Sequence, residues 1–326
     1  MENQESVIHP TEYLHLQETT EKLKQEIARV VVGQHDMIDL LLAAILANGH
    51  VLLEGVPGIA KTLTAKVMAK LISSGFSRIQ FTPDLMPSDI TGTSVFNNKK
   101  SSFDFNRGPI FSNIILIDEI NRAPAKTQSA LFEVMEERQV TVDGITYPMQ
   151  NPFIVLATEN PLEHEGTYRL PEAQLDRFLF KIDVSYPTPE EEVKIIINAH
   201  ERRELSETGP ITPVLEAAQI LYFQRIVKYV HMEQPLMKYI AEIINKTRNH
   251  PSLYLGASPR ASINALAAAK AIAAMNGRIY VIPEDIKTVL YPILNHRIYL
   301  TPEKELEGEN EKQIISDVIA SVEIPR

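Results

Sequence analysis

Lys61 and Thr62 close the stretch Gly55-Val56-Pro57-Gly58-Ile59-Ala60-Lys61-Thr62, which follows the apolar run Val51-Leu52-Leu53 and leads into a helical pattern. A glycine-bearing loop between a strand and a helix presents backbone N–H groups and the positive end of the helix, an arrangement that cradles phosphate. There Lys61 would reach the β- and γ-phosphates and the Thr62 hydroxyl would ligate Mg²⁺. The stretch departs from Gly-x-x-x-x-Gly-Lys-Thr only at Ala60. A right-handed backbone would accommodate that alanine, whereas a positive φ would cost roughly 1 kcal/mol. Downstream, Ile114-Ile115-Leu116-Ile117-Asp118-Glu119 delivers two acids to the end of a buried strand. Asp118 can hold Mg²⁺ through water, and Glu119 can polarise an attacking water, the division of labour that phosphoryl transfer requires. Asn160, in Ala157-Thr158-Glu159-Asn160-Pro161, offers a neutral amide to the γ-phosphate or to the same water.

Each piece has a plainer reading when taken alone. The first is a strand-turn-helix with a stray lysine, the second a pair of helix-capping acids, the third an Asn-Pro turn. Their common position, each just after an apolar run, favours one Mg²⁺-using site for a nucleotide phosphate.

Such a site needs a parallel sheet. His50 to Gly55, Arg78 to Phe81, Ile114 to Ile117, Phe153 to Ala157 and Phe178 to Val184 are short apolar runs of the kind buried on both faces. Helical patterns such as Lys61 to Ser73 and Lys126 to Arg138 lie between them, and two more helices precede them, at 11–31 and from His35 to Asn48. The expected fold class is α/β: a P-loop three-layer αβα core with a parallel five-stranded sheet, plus a C-terminal all-helical lid domain. Ligands of such sheets sit at the carboxyl ends of the strands, where Gly55 to Thr62 falls. Two hairpins interrupt the alternation, at about 93–105 and 139–147, the second around Asp143-Gly144, a type I′ turn signal. After Val184 a proline-marked break carries a capping signal, Thr188 before Glu191, and helices alone are expected beyond it. The expected division is a nucleotide-binding core over 1–186, with both hairpins projecting, and a helical lid over 187–326.

Composition narrows the function. Hydrophobic residues make up 44% and charged residues 23%, as in ordinary globular chains. Forty-two acidic against 32 basic residues give a formal charge of −10, which argues against a nucleic-acid partner. No run reaches a membrane span and the first residues lack a signal-peptide pattern, so a cytoplasmic location is expected. Without cysteine there is no disulfide, thiol nucleophile or Cys-type zinc site. His164-Glu165 has no second ligand nearby in sequence, and no metal beyond Mg²⁺ is expected.

The combination resembles the AAA+ ATPases, and most specifically the MoxR family. The resemblance is carried by Gly108-Pro109-Ile110-Phe111, Asp118-Glu119-Ile120-Asn121-Arg122-Ala123-Pro124, Lys126-Thr127-Gln128-Ser129-Ala130-Leu131 and Met135-Glu136-Glu137-Arg138-Gln139-Val140-Thr141. It continues from Glu165-Gly166-Thr167-Tyr168-Arg169-Leu170-Pro171 through Glu172-Ala173-Gln174-Leu175-Asp176-Arg177-Phe178. MoxR members share the Ala-Lys-Thr form of the loop; Arg169 is a departure, a proline being usual there. The resemblance implies a sensor-1 role for Asn160, an arginine finger at Arg177 reaching a neighbouring subunit's γ-phosphate, and a sensor-2 role for Arg260 in Gly256-Ala257-Ser258-Pro259-Arg260-Ala261. The plainer alternatives are pairing of Arg177 with Asp176 or Glu172, and capping of its own helix by Arg260. Arg122 stands between an ion pair and a part in catalysis.

A finger acting on a neighbour implies a ring, a hexamer as in relatives, working on a protein substrate with a von Willebrand factor A-domain protein as expected partner. The hairpins would be the inserts of the helix-2-insert branch, with Phe96, Phe103 and Phe105 either gripping a polypeptide or packing the hairpin base. The expected function is ATP-driven, chaperone-like remodelling, assembly or activation of a partner protein. The alternatives are a nucleic-acid motor resembling the MCM helicases, a chelatase motor subunit, and a nucleotide-binding scaffold that does not hydrolyse.

Overall fold

The computed structural model describes residues 9–161, 167–168, 170–201 and 211–325. Five strands form one parallel sheet in the order Phe178–Asp183, His50–Glu54, Ile154–Glu159, Ile114–Asp118 and Phe76–Gln80. The expected five-stranded core is therefore present, with strand ends within a few residues of the apolar runs. Ile114–Asp118 is buried at every position, and the first four residues of His50–Glu54 and first five of Ile154–Glu159 are buried as well. Helices cover both faces, which is why these strands carry continuous aliphatic runs. Phe76–Gln80 lies at the sheet edge and is only partly buried.

The register brings the carboxyl ends together. Glu54 pairs with Glu159 and Gln80 with Asp118, so the residues after each strand emerge along one edge. The helix Lys61–Leu71 starts at that edge. A core of Leu52, Phe81, Ile117, Leu131, Phe132, Phe153 and Phe178 fills the layer beneath the helix Ala125–Glu137.

Both hairpins are formed. Gly92–Asn97 pairs with Ser102–Arg107, and Gln139–Val142 with Ile145–Pro148. Asp143 and Gly144 have φ of 52° and 77°, as a type I′ turn demands. The hairpin aromatics differ in their surroundings. Phe105 stacks on Tyr147 at 4.5 Å and meets Phe111 edge-on, which packs the base. Phe96 and Phe103 pair with each other and are 51% and 70% exposed.

Contacts group the described residues into two units. One holds 23–41 and the residues from Asn48 to Ala218, including the sheet, both hairpins and the helix Pro189–Glu201. Thr188 and Glu191 close a reciprocal cap at the start of that helix, 2.9 and 3.3 Å. The other holds the residues through Lys22, Leu42–Ala47 and those from Gln219 on. This grouping differs from a linear break after 186: the helix Pro189–Glu201 goes with the sheet, and most of Pro10–Ala28 goes with the C-terminal helices. Tyr13, whose hydroxyl donates to the Ile226 carbonyl 213 positions away, shows how that long-range contact is made.

In the helical unit, Pro259–Met275 buries Ala261, Ala265, Ala268 and Ala269 completely, so its backbone lies close to Pro283–Leu294. The expectation of helices alone after Val184 needs correction. Leu253–Leu255 pairs antiparallel with Tyr299–Leu300, and in the other unit Leu215–Glu216 pairs with Ile72–Ser73. Strands of two or three residues are too short to leave a periodic signal. Among the described residues no helix is long and apolar enough to cross a membrane.

Candidate active site

Gly55 leaves the His50–Glu54 strand with no room for a side chain: a Cβ there would lie 2.7 Å from the Val184 carbonyl oxygen. Gly58 turns the loop at φ 87°. Ala60 then adopts φ 65°, ψ 14°, the left-handed region that was the costly alternative for it. The loop thus keeps the turn that a glycine would make, at roughly 1–2 kcal/mol for the β-carbon. Its carbonyl accepts from the Thr64 N–H and hydroxyl, both at 2.9 Å, which anchors the strained residue. Ala60→Gly is expected to raise the denaturation midpoint by about 0.5–1 kcal/mol of stability, the strain relief less the added freedom of the unfolded chain. A lower midpoint would mean that the alanine methyl makes a compensating contact.

No side chain caps the Lys61–Leu71 helix, so its first-turn N–H groups face the loop without a side-chain acceptor. Lys61 is buried, with its Nζ donating to the carbonyl of Gly55 and, at 3.2 Å, to that of Glu159. Burial pulls its pKa below the ordinary lysine value, against the pull of Asp118, Glu119, Glu54 and Glu159. A cation so placed gains from a phosphate, which replaces lost hydration.

Asp118 is 5% exposed and fully engaged. Its Oδ1 accepts from the hydroxyls of Thr62, at 3.2 Å, and Thr158, at 3.3 Å, while Oδ2 takes Arg78 Nε at 2.5 Å. Glu119 follows in the left-handed region, φ 57° and ψ 55°, a strained backbone of the kind that clusters at functional sites. Its N–H donates to Thr158 Oγ1 at 3.0 Å, and its carboxylate takes Gln80 Nε2 at 2.9 Å and Arg122 Nε at 3.3 Å. Arg122 is thus in an ion pair with Glu119.

These residues line one cleft of about 710 Å³, within the sheet-bearing unit. Pro57, Gly58, Ala60, Lys61 and Thr62 form one side, Asp118, Glu119 and Asn160 another, and Arg78 and Gln80 a third. Val30, Val31 and Val32 lie at the same cleft with Ile195, Asn198 and Ala199, giving it an apolar portion. The volume suits a small molecule. Thr62 and Asp118 supply hydroxyl and carboxylate oxygens side by side, the hard donors Mg²⁺ takes together with substrate phosphates. Among the described residues no cluster of three or more His, Cys, Asp or Glu would hold a metal by itself.

The two expected arginines belong to different units. Arg177 does not line the cleft: its Nη1 donates to the Phe132 carbonyl at 2.6 Å and lies 3.6 Å from Glu136, neither being the expected Asp176 or Glu172. Arg260 is in the first turn of Pro259–Met275, in the helical unit. His164, Glu165, Gly166 and Arg169 fall outside the described residues. Sequence reasoning missed Arg78, Gln80, Thr158 and the valines. For the first two a signal existed: polar residues alternating with Ile79 and Phe81 at the end of a core strand put both on one face.

Residues 50–180 match the family described as "ATPase family associated with various cellular activities (AAA)", and 245–318 match the AAA lid domain. The chain is 44% identical to Chaperone MoxR1 of Mycobacterium tuberculosis, covering 94% of this chain and 83% of that one. It is 30% identical to Protein MoxR of Methylorubrum extorquens, with 92% of each covered. A crystal structure from Cytophaga hutchinsonii, 45% identical, superposes with a TM-score of 0.90 over 97% of this chain and 98% of that chain. The matches run across both the phosphate-loop core and the helical region, and with them the chain belongs to the MoxR family of AAA+ ATPases.

Proposed function

We propose that the protein hydrolyses ATP in a Mg²⁺-dependent reaction and uses the turnover for chaperone-like remodelling of a partner protein. The observation that carries this reading is the meeting of Lys61, Thr62, Asp118 and Glu119 in one cleft. Backbone N–H groups from Gly58 to Thr62 would hold the phosphates, with Lys61 leaving its two carbonyl partners for the β- and γ-phosphates. Thr62 and Asp118 would hold Mg²⁺, which when bound neutralises charge developing on the transferred phosphoryl group. Glu119 would orient the attacking water, and Asn160 would hydrogen-bond that water or the γ-phosphate. The apolar portion at Val30 to Val32 and Ile195 suits the base.

On the family resemblance, Arg177 acts on the γ-phosphate of a neighbouring subunit, Arg260 senses the phosphate from the helical lid, and the working form is a hexameric ring. The expected partner carries a von Willebrand factor A domain. The name of Chaperone MoxR1 supports the protein-remodelling part of the reading.

Phosphate release from ATP should be abolished by EDTA and restored by Mg²⁺. Lys61→Ala should weaken ATP binding by 10-fold or more, on the order of one charge-assisted contact. Turnover that persists in EDTA would refute the Mg²⁺ assignment, and unchanged affinity in Lys61→Ala would refute the phosphate loop.

A further inference from the structure

Arg78 has no part in the reading above, yet its contact to Asp118 is shorter than that of either hydroxyl. Thr62 and Thr158 both take Oδ1, while the Arg78 guanidinium takes Oδ2 at 2.5 Å. The carboxylate is 7% exposed and the arginine 47% exposed, on the wall of the cleft. The buried acid is therefore neutralised by a cation from the neighbouring strand, whose charged end can reach solvent. A second anchor holds that cation: Arg78 Nη2 donates to Gln80 Oε1 at 3.3 Å, two residues along the same strand. The parallel register pairs Arg78 with Leu116 and Gln80 with Asp118, so the backbone keeps both side chains beside the acid.

A guanidinium and a divalent ion make the same demand on a carboxylate, and two cations on one small acid repel each other. We propose that Arg78 is a positioning residue that competes with the divalent ion for Asp118, holding the acid until metal and nucleotide arrive together. The inference rests on the Mg²⁺-dependent reading of the cleft. Arg78 keeps Asp118 oriented toward Thr62 meanwhile, so the metal site is preformed. The same pair raises the metal concentration needed to occupy it.

Metal affinity, rather than turnover, decides the matter. Mn²⁺ binding to the full chain with saturating ADP is followed by electron paramagnetic resonance, and ADP affinity is measured separately in EDTA. Arg78→Met is expected to bind Mn²⁺ roughly 5- to 20-fold more tightly than the wild type, a typical size for one coupled pair. Arg78→Lys, which keeps the charge but loses the fork that spans Asp118 and Gln80, should tighten it by about threefold. If Arg78→Met fails to fold, Arg78→Lys carries the test alone. Mn²⁺ affinity equal to or weaker than wild type in the folded variants overturns the proposal. A wild type that binds neither ADP nor Mn²⁺ would defeat the underlying reading of the cleft as well, and so is told apart from failure of Arg78 alone.

Discussion

Glu119→Gln is expected to lower ATP turnover by roughly 10²- to 10⁴-fold, the usual contribution of a positioned general base, while ATP remains bound. The change removes the charge proposed to polarise water and keeps the side chain's size. The surroundings should tolerate it. Glu119 owes its left-handed backbone to the N–H bond with Thr158 and to the turn into Ile120–Arg122, neither of which involves the carboxylate. A glutamine oxygen can still accept from Gln80, and the pair lost with Arg122 is part-exposed and contributes about 0–1 kcal/mol. The melting temperature should therefore stay close to wild type, so a loss of turnover reads as chemistry. The measurements are steady-state phosphate release and ATP affinity on the same preparation. Unchanged turnover would sink the assignment of Glu119. The variant also serves as a trap: affinity capture in ATP should retain a remodelled protein or a von Willebrand factor A-domain partner that is lost in ADP.

The sheet was legible in the sequence because its three inner strands are buried almost throughout and so spell apolar runs. Phe76–Gln80 sits at one edge; its partial exposure breaks the run, and its start at Phe76 was not visible. The loop was legible by residue type, but not the conformation of Ala60. Nothing in the residue types alone says whether an alanine is held at φ 65°. Arg78 was hidden for a different reason. Its meaning depends on strand order, since only the adjacency of Phe76–Gln80 and Ile114–Asp118 brings it to Asp118, 40 positions away. The grouping of the first helix with the C-terminal helices is likewise set by contacts such as Tyr13 to Ile226 that no local pattern encodes.

Arg177→Ala is expected to abolish turnover, by roughly 10³-fold or more if the guanidinium acts on a neighbour's γ-phosphate, with ATP affinity retained. Its present contacts make a competing structural explanation concrete. Nη1 is bonded to the Phe132 carbonyl near the end of the Ala125–Glu137 helix, Glu136 lies 3.6 Å away, and Nε is buried without a hydrogen-bond partner. A group that is only half satisfied in place has less to lose by reaching elsewhere than one with every donor bonded. Loss of activity alone would not separate the two roles, because truncation also removes the donor to Phe132. Mixing does separate them. Lys61→Ala subunits hold nucleotide only weakly but keep Arg177, and Arg177→Ala subunits hold nucleotide but lack the finger. If Arg177 works between subunits, the two inactive variants combined should regain a fraction of wild-type turnover, since mixed neighbours restore complete sites. If it is purely structural, the mixture stays inactive and Arg177→Ala melts at lower temperature. Full turnover by Arg177→Ala, or by a monomeric form, would exclude a shared site altogether.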